Sequence, residues 1–449
     1  MNRGVQASQW RYAGALSALP VAERASLLRR MGATGAVVRE RTADILRSVR
    51  QDGDAALRKM AREYDSVSLT NIEVPEAVRR RALTEIEPAV RSALDHAARN
   101  IDAVHSAAPP QAVEIETEPG VIVGRRPDPL QRVGIYSPGG RAAYASSVLM
   151  AAIPARAAGV SEMILCTPPQ RDGYPSRVVL AACEIARVDR VFSVGGAGAI
   201  AAMAYGTATI PRVDRIVGPG NAYVAEAKLQ VSRDVGIDSP AGPSELLVIC
   251  DANADVDIIA REVLAQAEHD VNACVVVLAL NDETAASISD ALARGLSDSR
   301  WDAVGEAVIE NGGGVASASL ARNGAILTVD SLTDAVSFAN DFAPEHLLLA
   351  IDDADRVLPD IRNAGCVFVG ESSSVVFGDY ITGGNHVLPT GGLARSYSGL
   401  GPLDFVRWTS YQKVTREGAQ RLARDTAILA RAERLPAHAA AALGWSGQC

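Results

Sequence analysis

The spacing of apolar residues changes character several times along this 449-residue chain, and each change marks a different kind of element. From Val21 to about Asn100, Ala, Leu, Arg and Glu recur at three- and four-residue steps, with GDAALRKMAREYD clearly amphipathic, which predicts helices that each bury one stripe. Between Val113 and Tyr136 the pattern shortens to β-branched runs, VEIETEPGVIVGRR and RVGIY, broken by Pro and Gly. A hairpin leading into a strand is expected there. From Arg132 to Val248 the runs RVGIY, EMILCTP, RVFSVGG and RIVGPG alternate with Ala-rich helical stretches, the pattern of βαβ units on a parallel sheet. These strands end in Gly or Pro, where open α/β sheets place their ligand crevice. A second alternation starts at Glu245, with LLVIC, ACVVVLAL, AILTV, LLLAI and CVFVG around the helix VDIIAREVLAQAEHD. After Pro389 the chain turns Gly-rich and then helical, with no core of its own, and is expected to dock on another domain or another subunit. No solenoid repeat and no low-complexity tract beyond the Ala-rich end are visible.

Composition narrows the partners. A net charge of −9, a pI near 5.3 and no Lys/Arg cluster argue against nucleic acid, leaving a small molecule as the expected substrate. Six cysteines without a CxxC pair fit reduced core thiols better than a disulfide framework or a thiolate zinc site. The first residues lack an apolar leader and no run approaches the roughly 20 apolar residues of a membrane span, so a soluble cytoplasmic protein without membrane contact is expected.

The histidines carry the chemistry. Two of the six, His96 and His105, sit in an ordinary helical stretch and read as surface residues, whereas His269, His346, His386 and His438 have distinctive settings. Gln266 and His269, three apart at a helix end, share a face and could point at one ion, although a polar helix end gives the same spacing. Asp379 and His386 share the loop FGDYITGGNHVLPTGG, which suits a binding site as well as an Asp that fixes its own turn. Glu345 and His346 place an acid beside a base before the apolar LLLA, where burial would bring both pKa values towards neutrality; two surface residues at a strand start are the alternative. His438 lies alone in the Ala-rich tail. Taken as a set, Gln266, His269, Asp379 and His438 offer nitrogen and oxygen donors suited to Zn²⁺ or a similar ion. Separately, Gly196, Gly198 and Ala201 satisfy the G-x-G-x-x-G/A dinucleotide fingerprint, with Asp214 downstream.

Together RVGIYSPGG, IPARAAGV, AYGTATIPRVDRIVGPGNAYV, DVGIDSPAGPSELLVI, AQAEHD, NDFAPEHLL, GDYITGGNHVLPTGG, DFVRWTS and LPAHA resemble the histidinol dehydrogenase family over nearly the whole chain. The resemblance implies a homodimeric, zinc-dependent enzyme that oxidises L-histidinol to L-histidine in two NAD-linked steps through an aldehyde. It places the metal on Gln266, His269, Asp379 and His438 and the catalytic pair on Glu345 and His346. Substrate contacts, besides the metal donors and His346, fall on Ser244, His386 and Glu433, and NAD contacts on Tyr136 and Asn221. A third NAD position, usually Gln, is Gly198 in this chain. Ser137, Ser239, Pro240 and Arg434 also depart from the family's usual residues. The implied architecture is α/β: two α/β domains with mainly parallel, incompletely Rossmann-like sheets, an N-terminal helical segment and a small C-terminal helical tail. Its expected limits are an arm over 1–25, a discontinuous first domain over 26–135 and 245–388 carrying metal and catalytic residues, a nucleotide-side domain over 136–244, and a tail over 389–449 exchanged with the partner subunit.

Neighbouring readings are a paralogue acting on another amino alcohol or a sulfonated diol, and a non-catalytic metal- or nucleotide-binding homologue; the latter would be expected to lose Glu345 and His346 first. A conventional Rossmann site on Gly196 and Gly198 predicts that Gly196→Ala abolishes nucleotide binding. The resemblance predicts a smaller loss, which a titration of the variant with NADH fluorescence distinguishes.

Overall fold

The computed structural model describes residues 9–30, 35–139, 143–240, 242–297 and 314–447. Its strands are β1 (Tyr12–Ala15), β2 (Val113–Glu118), β3 (Val121–Pro129), β4 (Arg132–Tyr136), β5 (Glu162–Thr167), β6 (Arg190–Ser193) and β7 (Arg215–Val217). They continue with β8 (Gly236–Ile237), β9 (Glu245–Cys250), β10 (Cys274–Ala279), β11 (Ala325–Thr328), β12 (His346–Ala350), β13 (Cys366–Val369) and β14 (Val406–Val414).

Two parallel sheets carry the molecule, as the alternation of short apolar runs and helices predicts. The first has the order β1-β11-β10-β9-β12-β13 and the second β6-β5-β4-β7-β8. Counted along the chain from β4, the second sheet runs 3-2-1-4-5, the half-Rossmann order whose winding reverses between β4 and β7. From β9 onward the first sheet repeats that order, with β1 added outside β11. Each sheet is covered on both faces by apolar clusters, which is why β9, β10 and β12 are buried along their full length and read as continuous Val/Ile/Leu runs.

The arm and the N-terminal helices go to different sheets. Tyr12 to Ala15 pair with β11, and the Trp10 indole donates to the Ser289 hydroxyl at 3.2 Å, so the arm is an integral edge of the first sheet. The helices within Ala36–Ser106 instead cover the second sheet, contrary to the expected grouping of 26–135 with 245–388. Leu46, Val49 and Leu57 join the core of Ile200 and Met203, and Ile101 joins that of Leu149 and Ile153. An amphipathic stripe specifies that a helix buries one face but not against which sheet. Ile72 and Val74 also hydrogen-bond β6 and cover its free edge. The limit expected at 135/136 falls inside β4, the central strand of the second sheet.

The third sheet, antiparallel in the order β14-β3-β2, corrects the reading of the tail as Gly-rich and then helical. The expected hairpin forms, and β14 pairs along all nine residues of β3. Beyond it the helices Arg416–Ala432 and Pro436–Leu443 pack on one another through a small cluster of Ala427, Ala430 and Ala439, leaving Ile428, Leu429, Leu435 and Trp445 exposed. Among the described residues no helix is long and apolar enough to cross a membrane, and the described cysteines are free.

Because Trp10 is almost fully buried, Trp10→Ala is expected to cost about 3–5 kcal/mol, the range for emptying a core aromatic site. Urea denaturation of wild type and variant measures the difference, and a change below about 1 kcal/mol would show the arm to be dispensable.

Candidate active site

The chain enters β12 abruptly. The helix Leu332–Phe342 ends on Ala343 in a left-handed conformation (φ 50°), which turns the backbone so that Pro344, Glu345 and His346 open the strand. His346 lies beside the start of β9, in register with Leu246, and beside Cys366 of β13. At this edge the peptide groups of Glu245 take hold of both side chains. Its N–H donates to Glu345 Oε2 at 2.7 Å, and its C=O accepts from His346 Nδ1 at 3.0 Å. With Nδ1 fixed as a donor, Nε2 is the working nitrogen, and it faces Asp379 Oδ1 at 3.5 Å with no hydrogen-bond partner.

Glu245 is itself clamped. Arg30 grips its carboxylate with two bonds of 2.7 and 2.8 Å, donates to the Phe342 carbonyl and stacks 3.4 Å over the Phe342 ring. The Gly391 N–H adds a further bond to the same carboxylate. This pair is buried, so removing one partner would strand a charge.

Three of the four expected metal donors, Gln266, His269 and Asp379, lie on or next to two neighbouring helices. Gln266 is in the last turn of the helix Val256–Ala267, almost fully buried with its Nε2 unpartnered, and His269 follows just beyond. His269 Nδ1 donates to the Ala265 carbonyl at 2.9 Å, which leaves Nε2 free as a ligand. Asp379 sits in the helix Val375–Tyr380, whose start is tied to the Gln266 helix by Glu262: its carboxylate accepts from the Ser374 hydroxyl and from Val375 N–H. Glu262 and Gln266 are one helical turn apart, so a single face carries the clamp and the donor.

His386 supports rather than completes this set. Its Nδ1 donates to the Asp379 carbonyl at 2.7 Å and its Nε2 accepts from the Ser147 hydroxyl at 3.3 Å, which joins the two sheets. Burial lowers its pKa and keeps the ring neutral. Ser244 is half-buried immediately before Glu245. Glu433 and His438 are exposed in the tail, and among the described residues no hydrogen bond or ion pair links them to Asp379. Arg434, between them, has φ 61°, a left-handed conformation that favours glycine. Of the two remaining histidines, His96 is exposed as expected; His105 is half-buried, and burial lowers its pKa. Arg30, Glu245, Glu262 and Ser147 were not anticipated as part of the site: only Glu245, inside GPSE, and Glu262, one turn before Gln266, leave any local trace.

The nucleotide candidates meet at the other sheet. Tyr136 ends β4, and the segment from Gly218 to Asn221 follows β7, so they flank the point where the winding reverses. Asn221 caps the helix Ala222–Val231 through its Oδ1. The Gly196 N–H donates to the Tyr136 hydroxyl at 3.0 Å. Gly198 lies buried against the Asp54–Tyr64 helix, where a Cβ would be 2.9 Å from Met60 Sδ. The apparent fingerprint thus follows β6, the sheet's edge strand, rather than β4, the strand a Rossmann fingerprint follows.

Charge in the first pocket is strongly shifted. Burial pushes the Glu345 carboxyl up to about 8. His346 is raised to about 9, because although burial disfavours its cation, Glu345 and Asp379 outweigh that effect. Asp379 is held low despite burial, by His346, His386 and His269. Since Glu345 has a higher pKa folded than unfolded, its proton stabilises the fold; this contribution is complete below about pH 4.5 and is lost as pH rises through 8. In chelator-treated protein, the stability of Glu345→Gln relative to wild type should therefore increase between these limits and level off above them. Urea midpoints at a series of pH values check this, and a pH-independent difference would contradict it.

Among the described residues no group of three or more His, Cys, Asp or Glu is gathered to hold a metal. A model of the histidinol dehydrogenase family matches residues 28–443. Histidinol dehydrogenase of Methanosarcina mazei is 44% identical over 94% of this chain and 95% of its own, and that of Bordetella parapertussis is 46% identical over 89% of each. The crystal structure of histidinol dehydrogenase from Elizabethkingia anophelis superposes with a TM-score of 0.89 over 98% of both chains, at 33% identity. With a family model matching residues 28–443 and relatives 44–46% identical over most of its length, the chain belongs to the histidinol dehydrogenase family, and is an oxidoreductase.

Proposed function

We propose that the protein carries out the zinc-dependent, NAD-linked, four-electron oxidation of L-histidinol to L-histidine through histidinal. The observation that carries this reading is the buried Glu345–His346 pair, held on one peptide group and facing Asp379. The amide oxygen of the buried Gln266 and the free Nε2 of His269 are donors that suit a divalent ion, and the helix C-terminus they share favours a cation. The end of β4 and the turn after β7 suit a dinucleotide, because the helices Gly196–Tyr205 and Ala222–Val231 begin beside them and a helix N-terminus favours phosphate. When bound, zinc orients the imidazole and amino groups of the substrate, and NAD accepts the hydride.

The residues of the chain then divide the remaining work. His346 Nε2, whose orientation is fixed through Nδ1, removes the hydroxyl proton as the first hydride leaves. Engagement of Asp379 by a metal would withdraw the carboxylate that holds a proton on this nitrogen, and so free it to act as a base. Glu345, a stronger base than an ordinary carboxylate because it is buried, activates water for hydration of the aldehyde. His346 serves again in the second oxidation. The seam between the sheets, bridged by His386 and Ser147, keeps the aldehyde from solvent.

The site is completed by a second subunit, whose tail delivers Glu433 and His438. Ile428, Leu429, Leu435 and Trp445 are exposed on the tail helices and supply an apolar surface for that docking. The sequence departures at Ser239, Pro240 and Arg434 favour one second reading, a relative that oxidises another primary alcohol, because selectivity rests on few polar contacts.

The test is NADH release by the zinc-loaded protein with L-histidinol, beside a panel of amino alcohols and diols. Two NADH per histidinol, lost on chelation, and a fall of about 10²–10⁴ in kcat for His346→Gln are expected. No turnover of histidinol together with turnover of another alcohol would move the assignment to the second reading.

A further inference from the structure

The loop from Gly218 to Asn221 is held from beneath by a buried ion pair that takes no part in the chemistry described above. Lys228, in the last turn of the helix Ala222–Val231, and Asp238, just after β8, are 3% and 5% exposed and form an ion pair. Both also bind the Gly218 peptide groups. Lys228 Nζ donates to Gly218 O at 3.0 Å, and Gly218 N–H donates to Asp238 Oδ2 at 2.7 Å. Gly218 has φ 113°, and a Cβ there would collide with the carbonyl of Tyr136, so this residue presses directly on the end of β4. Three residues later Asn221 spends its Oδ1 on capping the helix that carries Lys228, which leaves its amide N–H groups to face outward. Asp238 in turn begins the connection to Ser244 and β9.

We propose that Lys228 and Asp238 are positioning residues for the dinucleotide: by clasping both peptide groups of Gly218 they fix the spacing of Tyr136 and Asn221 across the point where the sheet's winding reverses. The inference rests on the reading of that crevice as the NAD site. A fully solvent-excluded ion pair is a weak source of net stability, and a matched apolar pair often replaces one at little cost. Its value here lies in geometry. The lysine supplies the donor for the C=O and the carboxylate the acceptor for the N–H of the same glycine, so the pair holds both at once. A loop that needs no ordering when the ligand arrives binds it more tightly.

The experiment uses the full-length zinc-loaded protein and the double variant Lys228→Met/Asp238→Leu, which removes both charges and strands neither. NADH binding is followed by its fluorescence, alongside zinc content, melting temperature, and kcat and KM for each substrate. The expected result is a rise of about tenfold or more in the NADH dissociation constant and in KM for NAD, since preorganisation is lost. Zinc content, KM for the alcohol and kcat at saturating NAD should change by less than about threefold, because the chemistry is held by the other sheet. Unchanged NADH affinity, whether or not the melting temperature falls, would reduce the pair to a structural role and overturn the proposal. Absence of NADH binding by the wild-type protein would instead overturn the assignment of the crevice, and the proposal with it. If the double variant does not fold, Lys228→Arg reads the same quantity, because a guanidinium keeps the charge but alters the reach to Gly218.

Discussion

One peptide unit and the next, on either side of the Glu245 α-carbon, govern the geometry of the Glu345–His346 pair. Glu345 immediately precedes His346, the first residue of β12, and successive residues of extended chain point to opposite faces, so adjacency alone would not bring them to one task. The first strand position is where this rule relaxes. Pro344 and the left-handed Ala343 bring the chain in at an angle, and the N–H and C=O of Glu245 then capture one side chain each. The Glu245 carboxylate is anchored by Arg30, from a segment 215 residues away, so the arm, the helix end at Phe342 and the Gly391 loop all bear on the same point. Disturbing any of them acts on both catalytic groups together.

The two sheets contribute opposite ends to the site. The first presents the starts of β9, β12 and β13, together with a helix C-terminus, whose partial negative charge suits a cation. The second presents the end of β4 and the turn after β7, with helix N-termini suited to phosphate. The candidate residues of the second sheet lie at the carboxyl ends of its strands, and those of the first at the amino ends. The reason is visible in the helix Val256–Ala267. It runs back against β9 and β10, so Gln266 and His269 arrive at the strands' amino ends, where Glu345 and His346 already lie. His386, hydrogen-bonded to Asp379 on one side and Ser147 on the other, holds the two ends together.

Much of this was legible in the sequence, and what was not has physical causes. The strands of both parallel sheets stand out because burial on both faces demands unbroken apolar runs. Gln266 with His269, and Glu345 with His346, could be singled out because local spacing carries their relation. Arg30 and Glu245 are related only through the fold, and nothing near either residue signals the partner. The same holds for the N-terminal helices, whose stripes are plain but whose sheet is not, and for β14, whose alternation in VRWTSYQKV is masked by the helical sequence that follows. The glycines at 196 and 198 mislead for a complementary reason: a motif of letters contains no strand order, and here it follows an edge strand, with Gly198 facing Met60. Glu433 and His438 have meaning only if the tail meets a second subunit, a relation that no single chain contains.

The central claim, that a catalytic pair fixed on Glu245 works beside an ion held by Gln266, His269 and Asp379, is tested most directly by a crystal structure of the zinc-loaded protein with anomalous data at the zinc edge. The account predicts an ion about 2.0–2.2 Å from His269 Nε2, Asp379 and the Gln266 oxygen, with His438 of a second subunit as a further ligand. His346 would keep its bond to the Glu245 carbonyl and no longer face a free Asp379 carboxylate. Zinc found elsewhere, or absent while Asp379 still pairs with His346, would contradict it.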